Sequence, residues 1–346
     1  MSDDQWTPIG RRLLRHFRWA ERAWRWTPKP WRQRTAALVG RTFSPDLDDS
    51  VRIWHALQTF TQCSDQQAHV WLARYFANQG TFAADLHGYP QLDAHWAENQ
   101  VRCDERDVLG LLDEGGLLLT YHSFHHNRLG SFLGLSGARV FAIAATEDGS
   151  PLKPWTGAYM RKINGGSEAL FGGGRYVFTD NLRGLLRDSR EVLRRGDLLA
   201  SLADNYSDSP TAAPVDVLGR RMRLATGSIE LALEAGVPIT LALFYSDLRG
   251  GYRCRLRRLE GMTDAGAVAR VYMEQLLAWC ADDPHAWQGW AWWDHMPFAP
   301  GHEAEGLERQ STAPARYAAS LPPRTLAQRI LLKLDALELR FRPLSP

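Results

Sequence analysis

Residues 115–128 read Gly115-Gly116-Leu117-Leu118-Leu119-Thr120-Tyr121-His122-Ser123-Phe124-His125-His126-Asn127-Arg128, and this stretch decides the fold. Two glycines mark a turn, and an apolar run with the length of a buried strand follows. Strands buried on both faces belong to parallel sheets covered by helices. Further along, the same alternation repeats. A helical stretch over 129–135 precedes a strand at 139–144, a helix over 182–195 precedes a strand at 198–203, and a helix over 228–234 precedes a strand at 237–245. The pattern predicts an α/β fold with a mainly parallel central sheet flanked by helices. Residues 46–114 read as mostly helical, with Asp48-Asp49-Ser50 as a start signal before Val51. Ligands of open parallel sheets sit beyond the carboxyl ends of the strands. His122 and Asp204 each follow a strand directly.

The chain has 346 residues, 45% hydrophobic and 23% charged, with a net charge of +2. That is enough apolar material for a sizeable core, and the charge balance gives no reason to expect a nucleic-acid partner. The 14 Trp are many for this length; tryptophan suits a large aromatic core, a ligand groove or a membrane boundary. Cys63, Cys103, Cys254 and Cys280 form no C-x-x-C pair, so neither zinc nor a disulfide framework is expected. No secretory signal and no apolar run of membrane-spanning length is visible, which predicts a cytoplasmic protein. Three parts are expected: a basic amphipathic segment (1–45), a main domain (46–298) and a tail (299–346) ending in a basic helix over 326–341. In residues 1–41, ten Arg or Lys face three acidic residues. Leu13, Phe17, Ala20 and Trp24 share one helical face there, before Pro28 and Pro30. Such a helix fits an anionic membrane surface, an acidic carrier protein, or simple docking on its own domain.

Three histidines within five residues could be metal ligands, but no Cys or carboxylate cluster accompanies them, and no metal is expected. Exposed turn histidines are one alternative. A catalytic histidine at a strand end is the preferred reading, because imidazole takes and returns a proton near neutral pH. Ser123 lacks a G-x-S-x-G elbow and is not expected to be a nucleophile.

The stretch 116–122 resembles the strand and H-x4-D/E motif of bacterial lipid A acyltransferases, members of the lysophospholipid and glycerol-phosphate acyltransferase superfamily. The likeness continues in order through Leu193-Arg194-Arg195-Gly196-Asp197, Ala203-Asp204-Asn205, Val217-Leu218-Gly219, Ala225-Thr226-Gly227 and Pro284 to Trp293, spanning roughly residues 45–295. The resemblance implies a glycerol-phosphate acyltransferase-like fold. It also implies an acyltransferase in which the motif histidine, His122, is a general base activating an acceptor. No resident cofactor is implied: the donor is an acyl group on the phosphopantetheine thiol of an acyl carrier protein, or on CoA.

Three departures qualify the likeness. The acid position falls on Asn127, which can orient an imidazole but lends no charge. Trp287, Trp290 and their neighbours stand where the family has a basic run suited to sugar phosphates, so an apolar or aromatic acceptor is expected instead. The family's membrane-spanning helix is missing, leaving at most contact with the inner-membrane surface. Three readings of the altered motif stay open. The acceptor is an easier nucleophile than a sugar hydroxyl, or His125, His126 or Asp204 shares the role, or the site is inactive and the protein only binds a carrier. The expected site is catalytic His122, Asn127, His126 and Asp204, with His125, Arg161, Trp287 and Trp290 binding donor or acceptor. Gly172-Gly173-Gly174-Arg175 reads as a flexible turn or a phosphate cradle, and Gly219-Arg220-Arg221-Met222-Arg223 as a solvated basic turn or a carrier contact. The overall expectation is an acyltransferase acting on a small acceptor other than lipid A. A carrier-binding protein and a thioester hydrolase are the alternatives.

Overall fold

The computed structural model of the chain describes residues 18, 26–28, 31–42, 47–85, 88–144, 153–179, 181–204, 207, 209 and 212–321. Helices α1 (Arg32–Thr42), α2 (Leu47–Thr61), α3 (Asp65–Asp85) and α4 (Ala94–Gln100) lead into β1 (Val101–Cys103), α5 (Arg106–Gly110) and β2 (Gly116–Thr120). Then follow α6 (His126–Leu135), β3 (Val140–Ala144), α7 (Lys153–Glu168), β4 (Tyr176–Phe178), α8 (Leu182–Arg194) and β5 (Leu198–Leu202). A hairpin of β6 (Ala213–Val217) and β7 (Arg220–Leu224) precedes α9 (Gly227–Ala235), β8 (Ile239–Ser246) and β9 (Tyr252–Leu259). After α10 (Ala265–Asp282), 3-10 turns occupy 284–295, and α11 (Glu303–Ser320) closes the described chain.

Seven strands form one sheet in the order β1-β9-β8-β2-β5-β3-β4. The five from β8 to β4 are mutually parallel, whereas β9 runs antiparallel to β8. The protein is therefore α/β with a mostly parallel sheet flanked by helices. Every residue of β2 and of β8 is buried, as their unbroken apolar runs require of central strands. Leu117, Leu119 and Tyr121 join a core built with α2, α3, α9, α10 and the 284–296 segment, and Leu118 joins the opposite core with Leu129, Phe132 and Phe171.

The Gly115-Gly116 pair is fixed by its surroundings. Both have positive φ, 73° and 114°. A Cβ on Gly115 would stand 2.1 Å from the Gly196 carbonyl oxygen before β5, and one on Gly116 2.4 Å from the Pro238 carbonyl oxygen before β8. The turn thus wedges the start of β2 between the entries to its two neighbours.

The structure bears on several expectations. The 46–114 stretch is mostly helical, as expected, and holds the short strand β1 as well. The basic turn 219–223 is a hairpin corner and strand in which two arginines meet acids: Arg220 is buried against Asp294, and Arg221 pairs with Asp216, while Arg223 donates to the Ser209 carbonyl. Residues 31–42, set apart on charge, pack on α3, with Ala36 and Ala37 buried and the backbones of Gly40 and Gly80 in contact. The face Leu13, Phe17, Ala20 and Trp24 and the basic helix over 326–341 lie outside the described residues. All four cysteines are free thiols. No helix among the described residues is long and apolar enough to cross a membrane.

The wedge predicts a sharp contrast between two glycines. Gly116→Ala should cost at least about 2 kcal/mol in urea unfolding, because backbone must move and φ is unfavourable. Gly110→Ala, where a Cβ would meet nothing within 4 Å, should stay within about 1 kcal/mol of the parent.

Candidate active site

Strand register builds the site. In the parallel pair β2–β5, Thr120 lies opposite Leu202. Two residues beyond each strand end come His122 and Asp204, so the pairing that aligns the strands also sets the imidazole beside the carboxylate. His122 Nδ1 is 2.6 Å from Asp204 Oδ1, and the His122 backbone N–H donates to Oδ2 at 2.8 Å. One residue therefore grips both carboxylate oxygens. Trp287 adds its indole N–H to Oδ2 at 2.7 Å. Asp204 is fully buried, while 17% of the His122 side chain is exposed.

The 284–296 segment is latched over this pair. Its Gln288 N–H donates to the His122 carbonyl at 2.7 Å, and the Tyr75 hydroxyl of α3 donates to the Gln288 carbonyl at 3.0 Å. Below, Tyr121 and Tyr272 stack with ring centroids 4.1 Å apart and cross-bond: each hydroxyl donates to the other strand or helix, Tyr121 to Tyr272 O and Tyr272 to Thr120 O. These bonds hold the end of β2 to α10.

Burial opposes a charge on His122, but the negative charge of Asp204 and its hydrogen bond outweigh burial and lift the imidazole above its ordinary 6.5. Burial likewise opposes ionisation of Asp204, yet His122, Trp287 and the backbone N–H hold the carboxyl below its usual range. His126 takes the opposite course. Burial first, and then the neighbouring His122 charge, push it down to about 4. It stays neutral, donating Nδ1–H to the Ser123 carbonyl at 2.6 Å, with its ring 5.5 Å from that of His122.

Asn127 is brought near the site but not into it. It is the second residue of α6, no hydrogen bond joins it to His122, and the Nδ1 position it was expected to serve is taken by Asp204. His125 is buried at 1% exposure in a separate cluster, with Nδ1 2.8 Å from Asp85 and Nε2 3.0 Å from Asn78, so it presents no surface to a substrate. Trp287 and Trp290 are fully buried too. Trp287 holds Asp204, and Trp290 donates to the Pro284 carbonyl and packs on Phe60. Arg161 is exposed on α7, and no described contact ties it to His122. Ser123 is buried with its hydroxyl donated to the Phe244 carbonyl, which occupies it structurally.

One residue escaped the sequence reading. Trp292, half-buried, meets the His122 ring edge-on at 5.8 Å, and its indole nitrogen is buried without a hydrogen-bond partner. The run 287–293 signalled a tryptophan near the site, but only the 3-10 turns decide which one faces it. No cluster of three or more His, Cys, Asp or Glu able to hold a metal ion occurs among the described residues. With Nδ1 held by Asp204, the proton-accepting nitrogen of His122 is Nε2, which fits a general base or acid. In comparisons with known proteins, no family model and no curated protein matches the chain.

The electrostatics predict a pH signature. His122 should titrate above 6.5 by NMR of labelled histidine, and Asp204→Asn should drop it below 6.5, since burial is then unopposed. An unchanged His122 pKa in that variant would mean Asp204 does not control it. The raised His122 pKa contributes stability that is complete below 6.5 and lost as pH rises through the raised value. The lowered Asp204 pKa contributes stability that is present above its ordinary 3.8 and lost as pH falls through the lowered value.

Proposed function

We propose that the protein is an acyltransferase, a divergent relative of the lipid A acyltransferases with their glycerol-phosphate acyltransferase-like fold. The observation that carries this reading is the His122–Asp204 pair at the carboxyl ends of adjacent parallel strands. The donor is an acyl thioester on the phosphopantetheine arm of an acyl carrier protein or on CoA, and the acceptor is a small molecule bearing a hydroxyl, amine or thiol. The setting is cytoplasmic, at the inner-membrane surface, in lipid or specialised-metabolite biosynthesis.

In the step we propose, His122 Nε2 takes the acceptor proton as the acceptor heteroatom bonds to the thioester carbon. Asp204 stabilises the imidazolium that results and keeps Nδ1–H in place. The tetrahedral oxyanion calls for hydrogen-bond donors beside His122. Collapse breaks the carbon–sulfur bond, and His122 returns its proton to the leaving thiolate. A pair spanning two strands supplies the charge that Asn127 lacks, which favours an active site over an inert one.

Incubation with acyl carrier protein thioesters and candidate acceptors, followed by mass spectrometry, tests this. Transfer should be seen with the parent and fall about 100-fold or more in His122→Ala and in Asp204→Asn, while Asn127→Ala should stay within about threefold. The rate should rise with pH through a pKa above 6.5. Free acid in place of transferred product would instead assign a thioester hydrolase, and binding without turnover a carrier-binding protein.

A further inference from the structure

Two of the four cysteines meet across the sheet. In the parallel pair β1–β9, Cys103 lies directly opposite Cys254. Both are buried, and both join the core that holds Trp96, Val101, Phe244 and Leu256, so their side chains leave the same face of the sheet. The other two thiols stand apart. Cys280 lies in the opposite core, and half-buried Cys63 packs against that same opposite core. Strands β9 and β8 separate β1 from β2, the strand that leads to His122.

Neighbouring strands lie about 4.8 Å apart, and the Cα atoms of a disulfide roughly 4.4–6.8 Å apart, so the register meets the backbone condition for a bridge. Bridged Cβ atoms sit closer, at roughly 3.5–4.5 Å, so closure must draw β1 toward β9. Strand β1 can yield, being three residues long at one edge of the sheet. The two thiols also differ as the reaction requires. Hydrogen bonding with Cys254 holds the Cys103 thiol below its ordinary 9.0, helped by the Glu105 backbone and Arg106, against burial and the Glu105 charge. Burial, and then the bond to Cys103, push the Cys254 thiol well above that value. A thiolate is the form that oxidants attack, so Cys103 reacts first and Cys254 resolves. The chain reaches solvent at the next residue, exposed Asp104, which gives a small oxidant a short path to Cys103.

We propose that Cys103 and Cys254 are a redox-active pair, oxidised by hydrogen peroxide to a reversible disulfide that ties β1 to β9. The Cys103 thiolate attacks one peroxide oxygen and the O–O bond breaks. Cys103 becomes a sulfenic acid, and the departing hydroxide takes the proton Cys103 had released and leaves as water. The Cys254 sulfur then attacks the sulfenic sulfur. The S–O bond breaks, and the hydroxyl leaves with the Cys254 proton as a second water. The two thiols lose two electrons, and the peroxide gains them. A bridge drawn closer than the strand spacing is readily reduced again. The proposal is independent of the chemistry at His122.

The test exposes the native full chain to hydrogen peroxide, blocks the remaining thiols with N-ethylmaleimide in urea, and maps the peptides by mass spectrometry. Within about an hour the product should have lost about 2 Da, with Cys103 joined to Cys254 and with Cys63 and Cys280 outside the bridge. Dithiothreitol should restore both thiols. In Cys103→Ser, Cys254 should stay a free thiol. In Cys254→Ser, Cys103 should go on to the sulfinic acid for want of a resolving thiol. The peptide map of the parent decides alone if neither variant folds. The proposal is overturned if Cys103 and Cys254 are both still alkylated in the peroxide-treated parent, if Cys103 ends there as sulfinic acid, or if the link forms only in urea.

Discussion

The parallel register of β2 and β5 is the constraint on which the site depends. It puts Thr120 opposite Leu202, and hence His122 opposite Asp204. A slip of one residue would send every side chain of β2 to the other face, exchanging Leu117 and Leu119 with Leu118 between two different cores. The hydrophobic cost of that exchange protects the geometry of the polar pair, which by itself would be too weak to hold a strand in place. Gly115 and Gly116 add a steric stop at the other end of β2.

Three buried carboxylates organise the polar interior, and each meets a histidine through Nδ1: Asp85 with His125, Asp204 with His122, Asp294 with His55. Their other partners separate them. Asp85 also faces Arg128 and accepts from Tyr252, and Asp294 also faces Arg220. In both, an arginine joins the histidine at the carboxylate. Around Asp204 stand N–H donors from Trp287 and from the His122 backbone, with the Tyr272 hydroxyl close by, and no arginine among the described contacts. Its charge is thus directed at His122, which is also the partly exposed histidine of the three. The same histidine–carboxylate pairing occurs with an arginine at Asp85 and Asp294 and without one in the described contacts of Asp204.

The central strands and the helices between them were legible because burial on both faces leaves unbroken apolar runs, as in Leu117-Leu118-Leu119 and Ile239 to Tyr245. Strand β9 was missed: its alternation of Arg253, Arg255 and Arg257 with Cys254 and Leu256 is the mark of a half-buried strand, but the preceding buried strand drew the reading. The short strands β1 and β4 carry too little pattern to register. His122 was found because a strand end is visible locally. The family's acid position fell on Asn127, and Asp204 stayed one of several alternatives, since spacing along the chain says nothing about which strands become neighbours. The tryptophans were read as a binding surface because composition does not distinguish an indole that lines a groove from one that plugs a core. Among the described residues, Trp292 is the tryptophan whose ring meets that of His122.

The residues that meet at Asp204 are far apart in the chain: His122 lies 82 positions before it and Trp287 83 positions after. Synthesis from the N-terminus therefore delivers the base, then its carboxylate, and last the indole and the Gln288 amide that close over them. Without the 3-10 turns, Asp204 lacks the Trp287 indole and the His122 carbonyl lacks the Gln288 amide. The geometry around His122 is thus closed by a segment that belongs to neither strand.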